Sequence, residues 1–292
     1  MKLLCATDLL PKTEAAIERA GFLSEALDAE LTVLHAVSPE AAEGGTLEQR
    51  LRRTSARLAT RTSAPAWRWE SRADISVRCG RPARVVLDTA YRQDARLVIL
   101  GPHRANAFVD AVSGTITEKV LGAAACPVLI ARQEIPAGYR HVLVALDGSP
   151  RSAHVLREVE ALVLAQDSLV TAMHAHEPAY ESMMNTVGIG AENIVKYASD
   201  SRKQATENIR AAIASSSRDA RRYQVSIVEM RPAMAILRAV ESLKPDLLVL
   251  DTRGHGRFRR ALLGSVASEV FNAVQCDVLL VPDRVTRERM AA

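Results

Sequence analysis

The sequence predicts an α/β fold built twice: two tandem doubly wound domains, each a five-stranded parallel sheet flanked by helices. Three observations lead there. Short apolar runs rich in Val, Ile and Leu alternate with helical segments, the pattern of parallel strands covered on both faces. The two halves of the chain repeat one another. The length of 292 residues suits two domains at roughly 100–200 residues each.

Residues 31–39, LTVLHAVSP, align with residues 170–178, VTAMHAHEP, at an offset of 139, which also carries Asp8 onto Asp147. Further on the offset is 150, taking Arg81-Pro82-Ala83 to Arg231-Pro232-Ala233, Gly114-Thr115 to Gly264-Ser265, and Cys126 to Cys276. The difference of 11 residues places an insertion near Met183–Ile194. Pro136 and Gly138 break the chain at the join. The expected domains are residues 1–135 and 139–292.

The elements follow in order. Residues 2–7 and 141–146 read as buried first strands. Helices follow at Thr13–Leu27 and Ser149–Ala165. Second strands fall at 31–37 and 168–175. Thr46–Arg61 and Glu192–Ser215 have long helical character. Third strands are Ile75–Val77 and Val225–Val228. Pro82–Tyr91 and Pro232–Leu243 are helices with proline in the first turn, where its missing N–H costs nothing. Arg96–Leu100 and Leu247–Leu250 are fourth strands. Helices after Gly114 and Gly264 lead to the fifth, Val128–Ala131 and Val278–Val281. These last strands are apolar edges, and unpaired edges need cover. The expectation is an intramolecular pseudo-dimer joined along them, with a homodimer left open.

Composition narrows the function classes. The formal net charge is +4, from 38 basic and 34 acidic residues, and the one dense cluster, Arg257, Arg259 and Arg260, reads as a solvated face. Aromatics make up 4%, which disfavours a nucleic-acid binder built on base stacking. No apolar run approaches bilayer length. Asp8, Lys12 and Glu14 interrupt the apolar start, unlike a secretory leader. Four scattered cysteines form no C-x-x-C pair. The expected setting is the cytoplasm, with reduced thiols.

In doubly wound sheets ligands bind beyond the carboxyl ends of the strands, where the strand order reverses. Asp8 and Asp147 end the first strands. A carboxylate there either accepts from a ribose hydroxyl or adenine amino group, or caps the following helix. After the fourth strand of the second half come Asp251, Gly254 and, nine residues on, Gly264-Ser265 opening a helix. Glycine lets backbone N–H groups approach phosphate oxygens, and a helix N-terminus adds free donors and a favourable dipole. The first half carries Gly101, Arg104 and Gly114-Thr115 at the matching places. Phe108 and Phe258 read as anchors of these loops.

With these residues the chain resembles a tandem universal stress protein over nearly its whole length. The nucleotide-binding members of that family carry G-x2-G-x9-G-[S/T] after the fourth strand and an Asp after the first. The second half reads D-x2-G-x9-G-S, the first G-x2-R-x9-G-T. Cys126–Leu129 and Cys276–Leu279 resemble the family's last strand. The resemblance implies a Rossmann-like, adenine nucleotide hydrolase-like fold. It also implies ATP or another adenine nucleotide as ligand and a regulatory role in the stress response, with protein partners that the residues do not identify.

Each half departs from the pattern at one glycine. The Asp251 carboxylate would repel a phosphate, and Mg²⁺ between them would reverse the sign. Arg104 suits phosphate by charge but fills space. The second half is favoured because Asp147-Gly148-Ser149, Gly254 and Gly264-Ser265 match better. The alternative is a stress protein that binds no nucleotide and acts through protein contacts.

Rival constellations carry less. His174, His176 and Glu177 invite a metal reading, but His174 repeats His35 and so reads as structural. His103 and His255 lie in the glycine loops without being equivalent. Trp67 and Trp69 read as sheet cover, Met183 and Met184 as part of the insertion, Cys126 and Cys276 as buried strand starts. There is no G-x-S-x-G elbow, no loop lysine of the P-loop type and no H-E-x-x-H, so no catalytic residue is expected.

Overall fold

A computed structural model describes residues 1–10, 13–38, 73–102, 115–133, 138–162, 164–176, 191–217, 219–252 and 264–282, with the side chains of 164–167 and 191–195 left aside. The expected helix at Thr46–Arg61, the insertion loop, Trp67, Trp69, His103, Arg104, Phe108, Gly114, Glu177, Gly254, His255 and Phe258 lie outside the described residues.

The chain divides into two compact units, Met1–Gly138 with His255–Gly264 and Asp277–Ala292, and Tyr139–Gly254 with Ser265–Cys276. The first contains β1 (Lys2–Ala6), α1 (Glu14–Ala26), β2 (Glu30–Val37), β3 (Ala73–Cys79), α2 (Pro82–Arg92), β4 (Leu97–Leu100), α3 (Ile116–Ala123) and β5 (Val128–Ile130). The second contains β6 (Tyr139–Leu146), α4 (Ser152–Leu162), β7 (Leu164–His176), α5 (Ala191–Ser216), β8 (Tyr223–Glu229), α6 (Pro232–Leu243), β9 (Leu247–Asp251) and α7 (Ser265–Ala273). The last strand, β10 (Asp277–Val281), belongs by its contacts to the first unit.

In the first unit the strand order is β3-β2-β1-β4-β5-β10. The first five strands are parallel, with Leu3 opposite both Leu31 and Leu97. β10 runs antiparallel to β5, pairing Val278 with Ile130 and Leu280 with Val128. In the second unit the order β9-β6-β7-β8 is parallel throughout. Right-handed crossovers send the β1–β2 connection to one face and the β4–β5 connection to the other. The reversal falls between β1 and β4, and between β6 and β9. That positions the crevice at those strand ends.

The central strands explain their sequence. Leu97, Val98 and Ile99 of β4 and Val142, Leu143 and Val144 of β6 have no exposed surface. Covered on both faces, they show no polar alternation. β3 and β8 stand at sheet edges, are half-buried, and mix Asp74, Arg78, Gln224 and Ser226 into their runs. Pro82 and Pro232 open α2 and α6.

One boundary departs markedly from the sequence reading. β7 starts at Leu164 rather than 168, and α4 ends at Leu162 rather than Ala165. The extra strand residues reach Tyr139 across a register irregularity, pairing Tyr139 with Leu164 before His141 pairs with Leu169.

The β5–β10 edge is fastened by a buried ion pair. Asp277 and the Arg19 side chain on α1 are both almost wholly buried, with Arg19 Nε 3.6 Å from Asp277 Oδ2. The other carboxylate oxygen accepts from the amides of Arg132 at 2.7 Å and Gln133 at 3.0 Å. The Arg19 guanidinium also lies 5.8 Å from the centre of the Phe22 ring. At the matching place the first repeat has Pro127, and the residue matching Arg19 is Glu158. The clasp is therefore not repeated.

Candidate functional site

The turns after β1 and β6 are nearly the same structure. Asp8 Oδ1 accepts from Leu10 N at 2.9 Å and from the Thr13 hydroxyl at 3.1 Å. Asp147 Oδ1 accepts from Ser149 N at 2.9 Å and lies 3.4 Å from the Ser152 hydroxyl. Both aspartates thus spend one oxygen tying the turn to the first residues before or within the helix. The turn needs a left-handed residue at its second position, Gly148 at φ +74° in one repeat and Leu9 at φ +62° in the other. Leucine there carries strain of about 1–2 kcal/mol.

Beneath Gly148 lies the His174 ring, 3.2 Å from where a Cβ would stand. His174 Nδ1 is 2.9 Å from the Leu146 carbonyl, and His35 Nδ1 is 2.8 Å from the Thr7 carbonyl. The two histidines therefore make the same strand-end contact in both repeats. No group of three or more His, Cys, Asp or Glu placed to hold a metal occurs among the described residues.

The fourth-strand ends differ between repeats. At Gly101 an added Cβ would stand 2.7 Å from the Thr13 methyl and 3.1 Å from the Thr13 backbone, closer than real contacts allow. In the second repeat Thr13 is replaced by Ser152, which has no methyl, and Gly101 by Asp251. Asp251 is met by Arg151, whose Nη2 donates to Oδ1 at 2.7 Å. The pair is largely sheltered on the aspartate side, 11% exposed, and opener at the arginine, 31%. Arg151 escaped the sequence reading. Its signal was available: the matching residues of the first repeat are Lys12 and Gly101, so the acid enters with no partner acid and beside a base.

The following helices differ too. Thr115 caps α3, its hydroxyl accepting from Glu118 N at 3.0 Å while Glu118 Oε2 accepts from Thr115 N at 2.8 Å. That capping box puts a carboxylate on the donors and the positive dipole end that a phosphate would use. In the second repeat Ser268 replaces Glu118. α7 opens at Ser265 directly after Gly264, with no acidic residue in its first turn.

Of the residues singled out from the sequence, Asp147, Gly148, Ser149 and Asp251 come together at the ends of β6 and β9, adjacent strands that pair Val144 with Val249. Gly264 and Ser265 stand at the start of α7. In the first repeat Asp8 and Gly101 gather around Thr13, and Thr115 caps α3. An open groove of about 580 Å³ on the second unit, lined in part by Met173, Val228, Met230, Ala235 and Leu243, contains none of these residues. Cys276 is buried, whereas Cys126 is only partly so, and none of the four cysteines is in a disulfide.

Each repeat is thus a doubly wound α/β unit with an Asp turn after its first strand and a Thr or Ser at the start of the helix that precedes its last strand. The sequence profile of the universal stress protein family matches residues 1–132 and again 138–282. The chain belongs to the universal stress protein family, in tandem form. A universal stress protein of Thermus aquaticus is 30% identical over 143 residues, 49% of this chain and 98% of its own length. Universal stress protein A homolog 1 of Coxiella burnetii is 29% identical over 147 residues, 49% of this chain and 96% of its own. Among solved structures, the functionally unknown protein PA1789 of Pseudomonas aeruginosa PAO1 matches at a TM-score of 0.66 with 16% identity, over 99% of this chain and 95% of its own. A universal stress protein of Archaeoglobus fulgidus matches at 0.63 with 17% identity, over 96% of each chain. These two likenesses establish the fold.

Proposed function

We propose that this chain is a cytoplasmic regulatory protein that binds an adenine nucleotide, ATP or a relative, in its second repeat. The observation that carries the reading is the Arg151–Asp251 pair at 2.7 Å. The one residue that breaks the glycine pattern there is met by Arg151, a basic position in both repeats, so its charge is countered in the crevice between β6 and β9. The residues present fit the ligand. Asp147 stands where a carboxylate can accept from a ribose or adenine donor. Gly148 presents backbone without a side chain above the His174 ring. Gly264 and Ser265 open α7, whose first turn carries no carboxylate to compete with phosphate.

The first repeat supports the opposite reading for itself. Leu9 replaces the turn glycine, and Glu118 already caps α3. Nucleotide would act by population shift, through unequal affinity for two arrangements of the loops after the fourth strands. Turnover is not part of the reading.

The test is calorimetric titration of the full chain with ATP and AMP, after mass spectrometry of molecules released on denaturation. Micromolar binding abolished by Gly264→Asp, and kept by Gly114→Asp, is the expected outcome. Absence of heat at millimolar nucleotide would remove the reading and leave a stress protein that works through protein contacts alone.

A further inference from the structure

We propose that Arg151 and Asp251 make the second-repeat crevice selective for magnesium-complexed nucleotide over the free anion. This rests on the nucleotide reading above and deepens it.

The two residues come from opposite lips of the crevice, Arg151 from the turn after β6 and Asp251 from the end of β9. A phosphate arriving there meets a guanidinium already donating to a carboxylate. Two arrangements follow. If Arg151 stays on Asp251, the pair offers the phosphate no net charge. If Arg151 turns to the phosphate, Asp251 loses that cation and faces an anion across a few ångströms. Both arrangements penalise free ATP relative to a site with glycine at this position, as at Gly101 in the first repeat. A divalent cation removes the penalty. Magnesium is held in such sites by one or two carboxylates together with substrate phosphates, and Asp251 supplies one carboxylate at the strand end. Arg151 then binds phosphate while the cation takes its place on Asp251. Asp251 keeps a cation beside it throughout the exchange, and that place gains one positive charge that offsets the phosphates. The base is present in both repeats, Lys12 and Arg151, and only the second sets an acid beside it, Asp251 where the first has Gly101.

The change from Thr13 to Ser152 accounts for the room that the Asp251 side chain has. The space that a Cβ at position 101 would need is taken by the Thr13 methyl. The second repeat lacks that methyl, so the carboxylate is accommodated without distortion of the turn.

The experiment is titration of the full chain with ATP in excess Mg²⁺ and with ATP in EDTA, on the native protein, Asp251→Asn and Arg151→Gln, with Mg²⁺ alone as a further arm. Far-UV circular dichroism and thermal unfolding establish that each variant is folded. The native protein is expected to bind ATP at least about tenfold more tightly with Mg²⁺. Asp251→Asn is expected to tighten binding in EDTA and bring that ratio close to one. Arg151→Gln is expected to weaken both forms about tenfold while keeping the preference. A ratio near one in the native protein, or a ratio unchanged in Asp251→Asn, overturns the inference while leaving nucleotide binding intact. Binding of Mg²⁺ alone that vanishes in Asp251→Asn overturns it in favour of a resident cation. No binding of ATP in either form removes the nucleotide reading itself, and the inference with it.

Discussion

Replacing Asp277 by alanine tests what holds the last strand in place. The carboxylate is fully buried and does three things: it accepts from two amides, at residues 132 and 133, and it faces the Arg19 guanidinium. Alanine orphans both amides, at about 1–3 kcal/mol for a buried unsatisfied group. It also takes the carboxylate away from the buried Arg19 cation, and removing one partner of a buried pair costs about 3–5 kcal/mol. These costs overlap, because the same water that enters to solvate Arg19 reaches the amides. A total loss of about 3–5 kcal/mol is expected, a drop in Tm of roughly 6–20 °C for a chain of this size. Asp277→Asn keeps an oxygen for the amides and loses only the charge, so it should fall between native and Ala. Arg19→Met paired with Asp277→Asn removes both charges and should recover part of the loss. The coupling in that double-mutant cycle should be about 1–3 kcal/mol. Thermal and urea unfolding followed by circular dichroism read these values. A loss under about 1 kcal/mol for Asp277→Ala, or strictly additive single changes, would refute the account of Asp277 as the strand's anchor.

Other outcomes follow from the same geometry. Cys79 is exposed whereas Cys5 is buried against the Ala16 carbonyl, with its thiol pushed up to about 12 by burial. Iodoacetamide at pH 8 should therefore label Cys79 rapidly and Cys5 only after unfolding, read by peptide mass spectrometry. Gly148→Ala places a Cβ at φ +74°, 3.2 Å from the His174 ring, and should cost about 1–2 kcal/mol or more in urea unfolding; a neutral result would mean the turn relaxes. The Tyr223 phenol is held neutral above its ordinary range by burial first and then by donation at 2.8 Å to Glu160. The unfolded phenol ionises near about 10, so Tyr223 contributes stability below that pH and loses it as pH rises further. Tyr223→Phe should cost about 1 kcal/mol near neutrality and make the decline above pH 10 shallower; an unchanged alkaline limb would count against the pairing.

The repeat made much of the fold legible. Two offsets aligned the strands, and Pro82 and Pro232 marked helix starts that the structure keeps. Apolar runs with no polar alternation placed β4, β6 and β9 inside because burial on both faces leaves no position for a polar side chain. What stayed hidden depends on partners distant in sequence. Arg19 and Asp277 lie at opposite ends of the chain, and no local pattern announces that they meet. Arg151 sits in a turn where a base is unremarkable until Asp251 is brought beside it. The capping box at Thr115 and Glu118 was written in the sequence as T-x-x-E. The glycine before it drew the reading toward phosphate and away from the helix's own cap. Leu9 in a left-handed turn could have been inferred only from its alignment with Gly148.

The strand that completes the first unit is made late. During synthesis β5 emerges with its outer edge bare, and β10 begins 147 residues after β5 ends, Ile130 to Asp277. At about 5–20 residues per second the ribosome leaves that edge waiting for roughly 7–30 s. Throughout the interval the nascent chain offers an unpaired apolar strand to anything nearby, including the same strand on a neighbouring nascent chain. The two repeats are thus bound together in time as well as in sequence, and a premature stop in the second repeat would deliver a first repeat with a sticky margin.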